Sequence, residues 1–147
     1  MAEKPRVQNE VFLDTAYAIA LSSPNDQFHE RAVHLADQLE ALGIRLVTTR
    51  AVLLEIGNAL SRQRYRNAAV RLLHALEADP RVDIVPLSEQ LYARALQLYR
   101  ERPDKEWGLT DCISFLMMQD LGITEALTTD EHFQQAGFRA LLREENP

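Results

Sequence analysis

Of the 22 acidic residues in this 147-residue chain, four sit where a surface carboxylate is least expected. Asp14 follows the apolar run Val11-Phe12-Leu13 and precedes a helical pattern. Asp130 repeats that arrangement after Ala126-Leu127 and two threonines. An acid at the carboxyl end of a parallel strand faces the crevice where α/β sheets hold their ligands, although both positions also suit a helix N-cap. Asp111 stands in the first turn of a helix that continues Cys112-Ile113-Ser114-Phe115-Leu116-Met117-Met118. Apolar residues around nearly the whole circumference predict a buried helix, with Asp111 against free amides and the positive end of the dipole. Glu55 falls mid-helix in AVLLEIGNAL, at the border of an arc formed by Val52, Ile56, Ala59 and Leu60. A charge there needs a partner, a cation or a route to solvent.

Four carboxylates suit a hard, oxygen-preferring cation. Magnesium and manganese fit, whereas zinc would recruit histidine or cysteine. Two such ions about 4 Å apart stabilise both the attacking and the leaving oxygens of an in-line phosphoryl displacement, and the spacing leaves one ion or two open. Several neighbours are accessory candidates. Thr15 and Thr110 adjoin two of the acids, and Ser114 shares a helix face with Asp111 and could support a bound water. Asp104 lies in a polar loop that either borders the pocket or is simply solvated, and His132 either orients phosphate or is structural. Trp107 packs on the buried helix or stacks a base.

The single cysteine, Cys112, rules out an internal disulfide framework and a multi-cysteine metal site, and its apolar setting predicts a buried thiol. The net charge of −6 is unevenly spread: residues 51–100 hold seven arginines against five acids, and residues 101–147 hold four basic residues against ten acids. An acidic pocket bordered by a basic surface accounts for this, as does chance segregation on a solvated surface. The run Ser61-Arg62-Gln63-Arg64-Tyr65-Arg66, with Arg71 beyond, could track a phosphate backbone or serve as a solvated turn or protein contact.

The elements that must position these residues alternate between short β runs and helical patterns, which predicts a single α/β domain around a mostly parallel sheet. Strands are expected at 11–13, 44–47, 82–85, up to Leu127, and at 138–142. Helices are expected at 15–21, from Asp26 to a stop at Gly43, from a Thr48 or Thr49 cap to about Gln63, at 65–78, from Ser88 to Arg100, from a Thr110 cap to Leu121, and from Asp130. About nine residues at the start and five at the end read as tails. MAEKPRVQNE carries no apolar stretch of signal-peptide length, and no later run approaches the roughly 20 residues that span a bilayer, so the expectation is a soluble cytoplasmic protein.

The ordered set VFLDTAYAIAL, TTRAVLLEIGNAL, DKEWGLTDCISFLMM and ALTTDEHFQQAGF resembles the PIN domain family, in particular the VapC-like nucleases of prokaryotic toxin–antitoxin pairs. The resemblance covers about residues 10–142 of one domain spanning 1–147. It implies a three-layer α/β/α sandwich and a magnesium- or manganese-dependent endoribonuclease whose acidic residues carry over onto Asp14, Glu55, Asp111 and Asp130. It also implies products with 5′-phosphate and 3′-hydroxyl ends, a homodimer, and a small antitoxin protein as partner. A non-toxin nuclease and a PIN fold serving only as a protein-binding scaffold are the alternatives.

Two other acid-bearing α/β classes fit poorly. A receiver-type signalling domain needs an acceptor aspartate closing its third strand and a lysine on its last. Here Val82-Asp83-Ile84-Val85 runs into Pro86, and no lysine follows Lys105. A haloacid-type phosphatase needs a second aspartate two residues after the first, where this chain has Ala16.

Overall fold

The computed structural model describes residues 9–144. Strand β1 (Glu10–Leu13) leads into helices α1 (Thr15–Ser22) and α2 (His29–Ala41), then β2 (Arg45–Thr49), α3 (Arg50–Ala59), α4 (Gln63–Ala78) and β3 (Val82–Val85). After these come α5 (Glu89–Glu101), α6 (Leu109–Leu121), β4 (Glu125–Leu127), α7 (Glu131–Gln135), β5 (Arg139–Ala140) and a 3₁₀ turn at Leu141–Arg143.

The five strands form one sheet in the order β3-β2-β1-β4-β5, and every pair is parallel. The chain steps from β1 to β2 to β3 in one direction, then returns past β1 to lay down β4 and β5 in the other. Right-handed crossovers therefore place α1–α4 on one face and α5–α7 on the opposite face, giving an α/β/α sandwich. The switch of direction falls between β1 and β4, where an open parallel sheet leaves a crevice at the strand ends.

Phe12 and Leu13 of the central strand are essentially inaccessible, as are Ala126 and Leu127 beside them. Phe12 lies 6.2 Å from Phe133, and Phe133 meets Phe115 edge-on at 5.0 Å. Trp107 continues the cluster, T-shaped to Phe115 at 5.0 Å, and its Nε1 donates to Gln135 Oε1 at 3.0 Å. Packing, not base stacking, thus accounts for Trp107. Helix α6 is buried as its sequence requires, and burial pushes the Cys112 thiol up to about 11.

Several boundaries differ from the sequence expectation, each for a local reason. Asp26 does not open α2; its Oδ1 accepts from the Phe28 amide in a turn, and the helix starts at His29. Helix α3 ends at Ala59 instead of Gln63, so α4 gains Gln63 and Arg64. The cap of α6 is Gly108 and not Thr110, which lies inside the first turn. The last strand shortens to Arg139–Ala140 because Leu141–Arg143 turn away as 3₁₀. Gly122, at φ 69°, ends α6 in the left-handed conformation that glycine adopts without steric cost. The expected tails fall largely on residues 1–8 and 145–147, outside the described residues. No helix among the described residues is long and apolar enough to cross a membrane.

Candidate active site

The strand ends on either side of the switch point are tied together before any side chain is considered. The Asp14 amide donates to the Leu127 carbonyl at 3.3 Å, joining the end of β1 to the end of β4. On the other flank, buried Thr48 of β2 donates its hydroxyl to the Leu13 carbonyl at 2.8 Å. Asp14 therefore leaves a fixed backbone.

Asp14 occupies the N-cap position of α1 but makes no capping bond from its side chain. Its Oδ2 instead accepts from the hydroxyl of buried Thr128, at 2.7 Å. The same Thr128 oxygen accepts from the Asp130 amide at 3.0 Å, so one hydroxyl orients one acid's side chain and the next acid's backbone. Asp130 does cap α7, with Oδ1 accepting from the His132 amide at 2.8 Å, and that takes up one of its two oxygens. The imidazole of His132 then turns back, placing Nδ1 3.4 Å from Asp130 Oδ1 and 3.2 Å from Asp111 Oδ2.

Asp111 is held from the other side by the Gly108 amide, which donates to Oδ2 at 3.0 Å. Gly108 has no side chain to accept from the Asp111 amide, so only this half of a capping box forms, and it uses Oδ2 alone. Asp111, Asp130 and His132 each offer an atom within 4.8 Å of the others, a spacing one cation can bridge. Glu55 sits on the exposed flank of α3 and lines one cavity with Thr110, whose hydroxyl opposes the rise of its pKa.

The electrostatics identify these groups as a set. Burial pushes Asp14 up to about 7, with the bond from Thr128 opposing the rise and the charges of Glu55 and Asp111 adding to it. Desolvation and then the charge of Asp111 raise Glu55. Desolvation also raises Asp111, against the Gly108 bond, with the neighbouring charge of Asp130 adding to it. Crowded carboxylates that resist ionisation together are the donor set a hard divalent cation relieves.

The accessory candidates divide. His132 and Thr110 join the cluster through Asp111 and Glu55 respectively. Thr15 lies beside Asp14, with a buried Oγ1 that has no hydrogen-bond partner. Ser114 does not reach the pocket: its fully buried hydroxyl donates to the Thr110 carbonyl at 3.0 Å, back-bonding within α6. Asp104 is also drawn elsewhere, to Arg102 at 3.0 Å and Lys105 at 4.0 Å on the exposed loop, and the Arg102 bond holds its carboxyl below the usual range. Thr128 was the residue that sequence reasoning passed over.

The PIN domain family model matches residues 11–139. The chain belongs to the PIN domain family. Among curated PIN-type relatives it is similar to the 23S rRNA-specific endonuclease VapC20 of Mycobacterium tuberculosis, in strains CDC 1551 / Oshkosh and H37Rv. Identity to each is 27% over 128 residues, covering 87% of this chain and 95% of the relative. The crystal structure of M. tuberculosis VapC20, described as a Sarcin-Ricin loop cleaving toxin, superposes with a TM-score of 0.79 at 26% identity. That match covers 87% of this chain and 95% of the other. The PIN fold explains why the acids converge: Asp14 and Asp130 leave the strands flanking the switch point, while α3 and α6 bring Glu55 and Asp111 over it.

Proposed function

We propose that the chain is a single-domain endoribonuclease, over residues 1–147, that hydrolyses RNA phosphodiester bonds as the toxin of a toxin–antitoxin pair in the cytoplasm. The observation that carries this reading is the linked set Asp14–Thr128–Asp130–His132–Asp111, with Glu55 alongside, at the switch point of a parallel sheet. The relatives' cleavage of 23S rRNA supports RNA as the substrate class.

Asp14, Asp111, Asp130 and Glu55 would hold magnesium or manganese, hard cations that prefer carboxylate oxygens. When bound, such a cation makes a water more acidic and stabilises the charge that builds on the attacking and leaving oxygens. The chain's own groups do the rest. Thr128 fixes the rotamer of Asp14, and the Gly108 amide fixes Asp111. His132, between Asp111 and Asp130, is placed to hold or pass a proton at Nδ1. Thr110 lines the cavity beside Glu55 on the solvent side. A small antitoxin protein and a second copy of the chain are the proposed partners.

The test is cleavage of a mixed pool of structured RNAs that includes a 23S rRNA stem-loop, with manganese or with EDTA, followed by sequencing of the new 5′ ends. Wild type with manganese should cut, leaving 5′-phosphates, while Asp111→Asn and the EDTA control should not. No cutting by partner-free wild type that demonstrably binds manganese would favour the scaffold role instead.

A further inference from the structure

Arginine is abundant in this chain, and most of it is committed. Arg45, Arg50, Arg81, Arg94, Arg102 and Arg139 each pair with a carboxylate. Arg31 and Arg143 donate to backbone carbonyls. Among the described residues, Arg62, Arg64, Arg66, Arg71 and Arg100 are exposed with no carboxylate within ion-pair distance; Arg100 stands alone at the end of α5, whereas the other four are clustered. The reason is in the sequence, which has no acid between Glu55 and Glu77, and Glu77 is taken by Arg50. A protein of net charge −6 thus keeps one stretch of ten residues carrying four uncompensated positive charges.

From this placement we infer that the α3–α4 turn and the first turns of α4 form an RNA-gripping arm, in which Arg62, Arg64, Arg66 and Arg71 hold the phosphate backbone beside the carboxylate site. The inference rests on the ribonuclease reading above and adds the surface that holds the substrate. The acids that would bind the cation repel a polyanion, so a substrate needs positive charge nearby to stay bound. The arm is close enough to supply it. Arg62 is the N-cap of α4, three residues beyond the end of the helix α3 that carries Glu55. Helices α3 and α4 lie side by side, with Gly57 against Leu73. Arg64 and Arg71, seven apart on α4, share one face across two turns, and Arg66 stands on the opposite flank of the exposed surface.

An aromatic group favours RNA over an acidic peptide. The Arg64 guanidinium lies over the ring of Tyr65 at 4.7 Å, and Tyr65 is 39% exposed. A guanidinium layered on an accessible ring is a platform on which an unpaired base can stack while neighbouring arginines take its phosphates.

The test uses the full chain bearing Asp111→Asn, so that RNA is bound but not cut. Affinity for a fluorescent single-stranded RNA is measured across a salt series, with and without replacement of the four arginines by glutamine. The glutamine protein should bind at least tenfold more weakly at low salt. Its log K against log salt slope should be shallower by up to about 3, since each released phosphate contact contributes about 0.7 for single strands. Replacement of the four arginines by lysine should restore most of the slope. In the cutting-competent background, the glutamine changes should raise KM more than they lower kcat. Equal slopes for the glutamine protein and its parent would overturn the arm, as would loss of a co-expressed partner protein without loss of RNA affinity. A wild-type chain that neither binds nor cuts RNA would instead defeat the ribonuclease reading itself.

Discussion

Asp14 enters the fold favouring its proton, with a pKa pushed from 3.8 to about 7 chiefly by burial. A raised pKa in the folded state gives stability that is full below the unfolded value and is lost as pH rises through the folded one. Metal-free protein should therefore lose stability between about pH 4 and pH 8, by on the order of 4 kcal/mol from this residue. Asp14→Asn keeps an acceptor for Thr128 but removes the charge. Urea unfolding in EDTA should find the Asn variant more stable than wild type at pH 8, with the gap shrinking towards zero near pH 4, and RNA cleavage should be lost. An equal gap at both pH values would mean that Asp14 is ionised without penalty in the fold. The cation reverses the sign, because it binds the ionised carboxylate and releases the proton, so manganese should raise Tm more at pH 8 than at pH 6. Thr128 has no charge to lose, yet it orients two acids. Thr128→Val should lower kcat/KM by about 10–100-fold, the usual range for a partner that orients a metal ligand, while Thr128→Ser should retain most of the activity.

At the scale of elements, the site depends on helices starting at fixed points beside strand ends. Thr49 ends β2 and caps α3, its buried hydroxyl accepting from the Val52 amide at 3.2 Å. That bond sets where α3 begins and therefore where Glu55 projects. Thr49→Ala should cost about 1 kcal/mol in urea unfolding, and it should reduce cleavage beyond what the remaining folded fraction explains. A stability loss with fully retained activity would detach Glu55 from the cap. The start of α3 was legible in the sequence because a hydroxyl residue before an apolar-periodic run has one local job. The same logic failed at Thr110, since glycine can occupy an N-cap without a side chain and the threonine was then free to meet Glu55. Asp14, Asp111 and Asp130 stand out in the sequence because each lies at the start of a helical pattern, after or before an apolar run. Thr128 does not, since its role comes from Asp14, 114 residues away on the neighbouring strand. Asp104 takes the solvated-loop alternative, paired with Arg102, and Ser114 spends its hydroxyl on the Thr110 carbonyl one turn back in α6, a bond that competes with the water-supporting role.

At the scale of the whole molecule, α3 and α5 expose a cluster of apolar side chains among the described residues. Tyr92, Leu96 and Tyr99 of α5 follow a four-then-three spacing that places them on one side of the helix, and they are 46%, 44% and 49% exposed. Leu54 of α3 is 59% exposed, and it lines the same cavity of about 270 Å³ as Tyr92, Glu55 and Thr110. Clustered apolar exposure of this kind marks an association surface, and a surface shared by α3 and α5 suits a two-fold pairing of like with like. The proposed homodimer should use it. Light scattering at tens of micromolar protein is expected to give twice the chain mass for wild type and the single mass for Leu54→Glu combined with Leu96→Glu. A monomeric wild type would remove the dimer from the account. Because Leu54 precedes Glu55 directly, the two functions are not independent. A second copy packed over that cavity would exclude water from the exposed side of Glu55, strengthening the repulsion from Asp111 that already raises its pKa. Cation binding should then be tighter in the dimer than in the separated chains. Manganese titrations of the wild type and the double glutamate variant, both with folding verified, would detect the difference as a weaker Kd for the monomer.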